Sequence, residues 1–174
     1  MKKEDRRLLG ITLAVVLLDQ ATKMLVPYLL GPSEERVVID GFFRLVYWMN
    51  TGAAWSLLRG RNYILAGVSI IALAGLYSFR RHFYVQSLLG QISLGLIFGG
   101  IIGNLLNRLM YHHVIDFLRF YLIRRSGEEV GFPAFNIADS AICIGVGLLI
   151  ILSWKREHES ANGQPAGARL SKAD

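Results

Sequence analysis

The sequence predicts a mainly α membrane protein with four transmembrane helices. Three observations predict it. Of the 174 residues, 53% are hydrophobic and the mean hydropathy is +0.40, more apolar than a soluble domain of that length. The apolar residues cluster in four runs rather than alternating with polar ones, and a helix of about 20 residues crosses the hydrocarbon. Basic residues gather where the runs end, in a chain of net charge +6, which is the pattern of cytoplasmic helix ends. Nucleic acid is a poorer account of that charge, because no basic face is interleaved with stacking aromatics.

Residues 1–7, MKKEDRR, are a short basic start. The first helix is expected at about 8–28. It resembles a secretory signal, but Asp19 and Lys23 interrupt it and no small-residue cleavage site follows, so it reads as a retained span. Pro27, Gly31 and Pro32 end it. Val37–Ile39 and Phe42–Met49 are β-branched and aromatic and predict short strands around an Asp40-Gly41 turn. Tyr47, Trp48 and Trp55 suit a membrane interface. The second helix is expected at 63–79 and the third at 85–106. The third carries Gly95, Gly99 and Gly103 on one face, a spacing that lets helix backbones approach. Residues 107–133 form a second long loop, and the fourth helix is expected at 135–154, before Lys155 and Arg156. Residues 1–156 then make one integral-membrane domain. The polar tail, 157–174, has too little apolar surface to fold and is expected to be a disordered cytoplasmic tail.

Orientation follows from the short basic ends. The start, the Arg80-Arg81 turn and Lys155-Arg156 fall on one side of four antiparallel crossings, which marks it as cytoplasmic. Both long loops lie on the other side, although they also carry several arginines.

Two carboxylates stand out on that outer side. Asp116 lies in Val-Ile-Asp-Phe and Asp139 in Phe-Asn-Ile-Ala-Asp-Ser, each at the edge of a membrane segment. An ionisable group there is expensive and marks a functional site. Two close carboxylates share a proton, so one can take a proton from water while the other polarises a carbonyl. That equips the pair for peptide hydrolysis. Asp139 has a second reading, because Asn136 resembles an N-cap and Asp139 then sits at the third helical position, facing free backbone amides. Capping and catalysis are compatible. A helix start favours the charged form of Asp139, and apolar neighbours favour the protonated form of Asp116.

Other polar residues carry two readings each. Asp19 and Lys23, four apart, form an intrahelical ion pair or support the site. Asn104 and Arg108 share a face of the third helix, where Arg108 binds a carbonyl or snorkels to the interface. Asn50 is a turn residue or a site residue. Cys143 is the single cysteine, which leaves no internal disulfide and no cysteine-based metal site; it reads as small apolar packing. His112 and His113 have no third ligand at metal-site spacing, and neither HExxH nor G-x-S-x-G occurs. No metal or cofactor is called for.

These segments resemble a known family. In order from Leu17 to Gly145, the chain is similar to the bacterial lipoprotein signal peptidases (signal peptidase II), intramembrane aspartic peptidases. The similarity is carried by Leu18-Asp-Gln-Ala-Thr-Lys23, Asn50-Thr-Gly-Ala-Ala-Trp-Ser56, Gly99-Gly-Ile-Ile-Gly-Asn-Leu-Leu-Asn-Arg108, Val114-Ile-Asp-Phe117 and Phe135-Asn-Ile-Ala-Asp-Ser140. The resemblance implies that Asp116 and Asp139 are catalytic. It implies that Asp19, Lys23, Asn50, Gly52, Asn104, Arg108, Asn136 and Ala138 bind substrate or support the site. It implies a prolipoprotein substrate whose lipobox cysteine carries diacylglycerol, cut on the N-terminal side of that cysteine. It further implies a bacterial inner-membrane location among membrane lipids, a monomer, and a small extracytoplasmic β-rich cradle with an interfacial helix between helices 1 and 2. Two positions depart from the family pattern. Asn107 stands where Asp is usual before the arginine, removing a possible salt bridge to Arg108, and His113 stands where Gly is usual, so the loop there is expected to take another path. Competing functions are a small transporter or channel subunit lined by Asp19, Lys23 and Arg108, and an assembly subunit using the glycine-rich helix. The internal repeats and broken helices common in transporters are not evident.

Overall fold

The computed structural model describes residues 2–30, 35–52, 58–80 and 87–161. Four helices, α1 (Lys3–Leu30), α2 (Asn62–Phe79), α3 (Leu88–Tyr111) and α4 (Ile137–Ala161), are long and apolar enough to cross a membrane. The chain is a multi-pass membrane protein. Most of the large apolar side chains on α1, α2 and α4 are exposed, as helices facing lipid require.

The centre is α3, which packs against α1, α4 and α2. Its small residues explain why. A Cβ on Gly99 would lie 2.5 Å from Val15 Cβ of α1, and one on Gly100 would lie 2.4 Å from the Ala138 carbonyl of α4. The glycines of α3 therefore serve both neighbours at once. Ser87 caps the helix start by accepting from the Gly90 N–H at 3.0 Å.

Four antiparallel strands, β1 (Glu35–Ile39), β2 (Phe43–Asn50), β3 (Val114–Ile123) and β4 (Glu129–Gly131), form one sheet in that order. The first two come from the α1–α2 connection, as expected. The other two come from the α3–α4 connection, where a loop was expected. The cradle therefore draws on both long connections, and β2 pairs with β3 at Trp48↔Asp116, Met49↔Ile115 and Asn50↔Val114. After β4 the chain returns along β3, with the Phe117 and Leu118 N–H groups donating to the Phe135 carbonyl. An apolar core of Val26, Leu30 and Phe117, with Leu45, Tyr47, Leu118 and Ile137 against it, joins sheet to helices. On the sheet, Arg44 bonds Glu35 and Glu129, and Arg119 bonds Glu129.

Helix ends differ from expectation. α1 runs through Pro27 to Leu30; a proline in the last turns removes one ladder bond, to the Lys23 carbonyl, without ending the helix. α3 continues to Tyr111, so Asn107 and Arg108 are helical, and its end is the left-handed His112 (φ 59°), whose carbonyl accepts from Asn62 of α2. The irregular residue is thus His112 and not His113. The expected interfacial helix falls partly on residues 53–57, with Trp55, and most of the tail falls on 162–174. Both stretches lie outside the described residues, as do Arg81 and the Gly31-Pro32 helix stop. Of the tail, residues 157–161 continue α4.

Candidate active site

The end of the bundle that faces the sheet collects the polar residues. α4 begins with a capping box. Asn136 Oδ1 accepts from the Asp139 N–H at 3.0 Å, and Asp139 Oδ2 accepts from the Asn136 N–H at 3.2 Å. Asp139 is therefore held at the helix start by backbone geometry. Its other oxygen, Oδ1, accepts from Asn104 Nδ2 at 2.7 Å.

Asp116 arrives on β3 and is 4% exposed. Asn136 Nδ2 donates to its Oδ1 at 2.7 Å, and Asn50 Nδ2 donates to its Oδ2 at 2.8 Å. Asn136 thus donates to both acids, to Asp116 from its side-chain amide and to Asp139 from its backbone N–H. Each asparagine is fixed in orientation by a donor on its own oxygen. The Gly52 N–H holds Asn50 Oδ1 at 2.8 Å, the Asp139 N–H holds Asn136, and Lys23 Nζ holds Asn104 at 2.9 Å. With the oxygens occupied, the amide nitrogens can only point at the carboxylates. Burial, and then the charge of Asp139, push the Asp116 carboxyl up to about 6, although both amide donors favour its charged form. Asp116 therefore exchanges its proton near neutrality.

Behind the acids lies a second layer. Asp19, fully buried, accepts from the Ala138 N–H at 3.0 Å and from Lys23 Nζ at 2.9 Å. The Asp19–Lys23 pair thus forms an intrahelical bridge and also holds the first turn of α4. Lys23, 1% exposed, donates as well to Asn104 Oδ1 and to Asn107 Oδ1. Gly103 is small by necessity, since a Cβ there would meet Asp19 Oδ2 at 2.6 Å, and the buried Ala138 lies beside the same point. Arg108 donates to the Gly52 carbonyl at 3.3 Å, tying α3 to the turn after β2.

Asn50, Gly52, Asn104, Arg108, Asp116 and Asp139 line one cavity of about 770 Å³, while Asp19, Lys23, Asn136 and Ala138 stand behind its wall. Trp48, Met49, Phe132, Phe135 and Ile142 make much of the rest of the lining apolar. The cavity can thus hold a largely apolar molecule against two carboxyl groups. Cys143 is exposed on its edge rather than packed in a core. Among the described residues, no group of three or more His, Cys, Asp or Glu is placed to hold a metal.

In the second layer, one partner, Gln20, was not singled out from sequence, and another, Asn107, was expected beside Arg108. Gln20 donates to Asp19 Oδ2 and Asn107 Oδ1; an amide inside an apolar span was its only signal. Asn107 turns toward Lys23 and Gln20 of α1, away from Arg108, because it lies on the buried face of α3. Its departure from the family pattern therefore acts between helices rather than in the loop.

Comparison with known proteins gives a consistent result. Residues 11–155 match the family model for signal peptidase (SPase) II. The lipoprotein signal peptidase of Syntrophotalea carbinolica is 38% identical over 156 residues, covering 86% of this chain and 92% of the relative. That of Geobacter sulfurreducens is 38% identical over 164 residues, covering 92% and 99%. A bacterial membrane enzyme solved by the in meso method at 2.3 Å superposes with a TM-score of 0.75 at 30% identity, covering 93% of this chain and 94% of that one. Sequence and fold agree over nearly the whole length of these relatives, and the chain belongs to the signal peptidase II family of aspartic endopeptidases.

Proposed function

We propose that this chain removes signal peptides from prolipoproteins, with Asp116 and Asp139 as the reacting pair. The observation that carries this is the shared wall: both acids line one largely apolar cavity and both are held by Asn136. The ionised carboxylate takes a proton from water as the water attacks the scissile carbonyl. The protonated carboxyl donates to that carbonyl oxygen. The tetrahedral intermediate then collapses, the C–N bond breaks, and the proton passes to the leaving amine. The substrate is a prolipoprotein with a diacylglyceryl lipobox cysteine, and the cut falls on its N-terminal side. The amine released is then that of the lipidated cysteine. The apolar lining of Trp48, Met49, Phe132, Phe135 and Ile142 suits such a substrate.

Asn50, Asn104 and Asn136 orient the pair, Arg108 and Gly52 shape the mouth, and Asp19, Lys23 and Ala138 hold the start of α4. Residues 1–156 act as one peptidase unit and work as a monomer among membrane lipids. The site faces outward across the bacterial inner membrane, with the termini in the cytoplasm. The basic residues Lys2, Lys3, Arg6, Arg7, Arg80, Lys155 and Arg156 at the opposite end support that orientation.

The test is turnover of a diacylglyceryl-modified lipobox peptide by purified protein in bilayers. Asp116→Asn and Asp139→Asn should each lose nearly all of it while staying folded. Wild-type turnover in either variant would refute the assignment.

A further inference from the structure

Beneath the two acids, α1 and α3 meet through a buried polar cluster. Lys23 has three N–H donors and three acceptors: Asp19 Oδ2 at 2.9 Å, Asn104 Oδ1 at 2.9 Å and Asn107 Oδ1 at 2.8 Å. Asn107, 2% exposed, is itself fixed by Gln20, whose Nε2 donates to its Oδ1 at 3.3 Å and whose Oε1 accepts from its Nδ2 at 3.5 Å. The cluster holds one carboxylate and one ammonium and is electrically neutral. From Lys23 the contacts continue through Asn104 to Asp139 Oδ1 at 2.7 Å.

We propose that Asn107 is a positioning residue for the reaction. As a neutral acceptor it leaves Lys23 facing a single carboxylate, so the ammonium's remaining charge acts on Asp139 and Asp116 through Asn104. This rests on the assignment of those two acids as the reacting pair. A carboxylate at 107 would fit the same contact and would be the second anion on Lys23, giving the cluster a net negative charge. In so buried a place that charge is poorly screened and opposes ionisation of the acids two contacts away. Loss of the contact without a new charge would instead loosen Lys23 and leave Asn104 free to turn.

The other charged groups around the acids are Asp19 from α1, Arg108 from α3 and Arg59 from the turn before α2, which also lines the cavity. β2 contributes the neutral Asn50. None of these groups is itself replaced by a substitution at position 107, so a shift in the profile reports on the net charge of the Lys23 cluster.

The experiment is the pH profile of kcat and KM for a diacylglyceryl lipobox peptide, with the full chain in bilayers. Asn107→Asp should move the acid limb of kcat to higher pH by about one unit, leaving KM unchanged. Gln20→Glu, at a half-buried position beside the same amide, should move it the same way by less, and serves if the first variant does not fold. A uniform fall in kcat with the limb unmoved would mean a merely structural role and would overturn the proposal, as would a shift to lower pH. If Asp116→Asn or Asp139→Asn keeps turnover, the assignment of the pair fails. If both are inactive and the Asn107→Asp profile overlays the wild type, only the role of Asn107 fails.

Discussion

Replacing Asn136 separates two jobs that one side chain performs. Asn136→Ala removes the cap on α4, about 1 kcal/mol. It also takes the donor from Asp116 Oδ1, a buried acceptor whose loss costs about 1–3 kcal/mol. The variant should therefore lose roughly 2–4 kcal/mol of stability. Asn136→Ser restores an oxygen for the Asp139 N–H but offers no amide to Asp116, so it should recover the capping part, about 1 kcal/mol. Turnover should not follow. If the amide bond to Asp116 matters in the transition state, both variants lose about ten- to a hundredfold in kcat, as 1.5–3 kcal/mol implies. Unfolding in mixed micelles by SDS titration, read by the fluorescence of the three tryptophans, gives the stabilities, and lipopeptide cleavage gives kcat. The stability penalty should shrink at pH 5, where Asp116 is already protonated. Near-wild-type turnover in Asn136→Ser would refute the role of the amide. Equal stability of the two variants would refute the cap.

Three further outcomes follow from named contacts. Gly100→Ala brings a Cβ to 2.4 Å from the Ala138 carbonyl, backbone that cannot yield, and should cost about 1–3 kcal/mol; Gly75→Ala meets nothing within 4 Å and should be neutral or stabilise by up to about 1 kcal/mol in the same unfolding assay. Asp116, raised from 3.8 to about 6, favours the protonated form when folded. Its contribution is full below its unfolded value and is lost as pH rises through about 6, on the order of 3 kcal/mol in all; Asp116→Asn should flatten that part of the stability–pH curve, and an unchanged slope would contradict it. Lys23→Met strands the fully buried Asp19 and should cost about 3–5 kcal/mol, whereas Asp19→Asn together with Lys23→Met should recover part of that loss; additive losses in the double-mutant cycle would deny the coupling.

The four spans were legible because a continuous apolar run has few other fates, and the strands of the first connection because β-branched and aromatic residues flank a turn. β3 was not. Val-Ile-Asp-Phe-Leu-Arg-Phe-Tyr-Leu-Ile is rich in β-branched and aromatic residues, but its buried positions do not alternate cleanly, since Phe117 packs on α1 while Asp116 faces the cavity. Its pairing partner, β2, lies on another connection and leaves no mark on local sequence. The placement of Asp139 was legible in part, because a capping box is a short-range pattern. That Asn136 also reaches Asp116 was not, because the contact depends on the sheet. The aim of Asn107 depended on which face of α3 meets α1, and the glycine spacing alone does not choose between neighbours.

Asp116 rides on the sheet and Asp139 on the bundle, and the sheet is stitched from strands on two separate connections. Asn50 and Asp116 meet across 66 positions, and β2 has no β3 to pair with until α2 and α3 have both been threaded. Asn136 and Asp139 come later still, at the head of the last helix. The meeting of the two acids is therefore a property of the finished topology: during synthesis, the proposed pair is complete only once α4 has joined the sheet end of the bundle. A chain truncated before α4 lacks Asp139 altogether, and one with a span inverted holds its two acids apart. Completing the four-span topology is what brings the two carboxyl groups to one cavity.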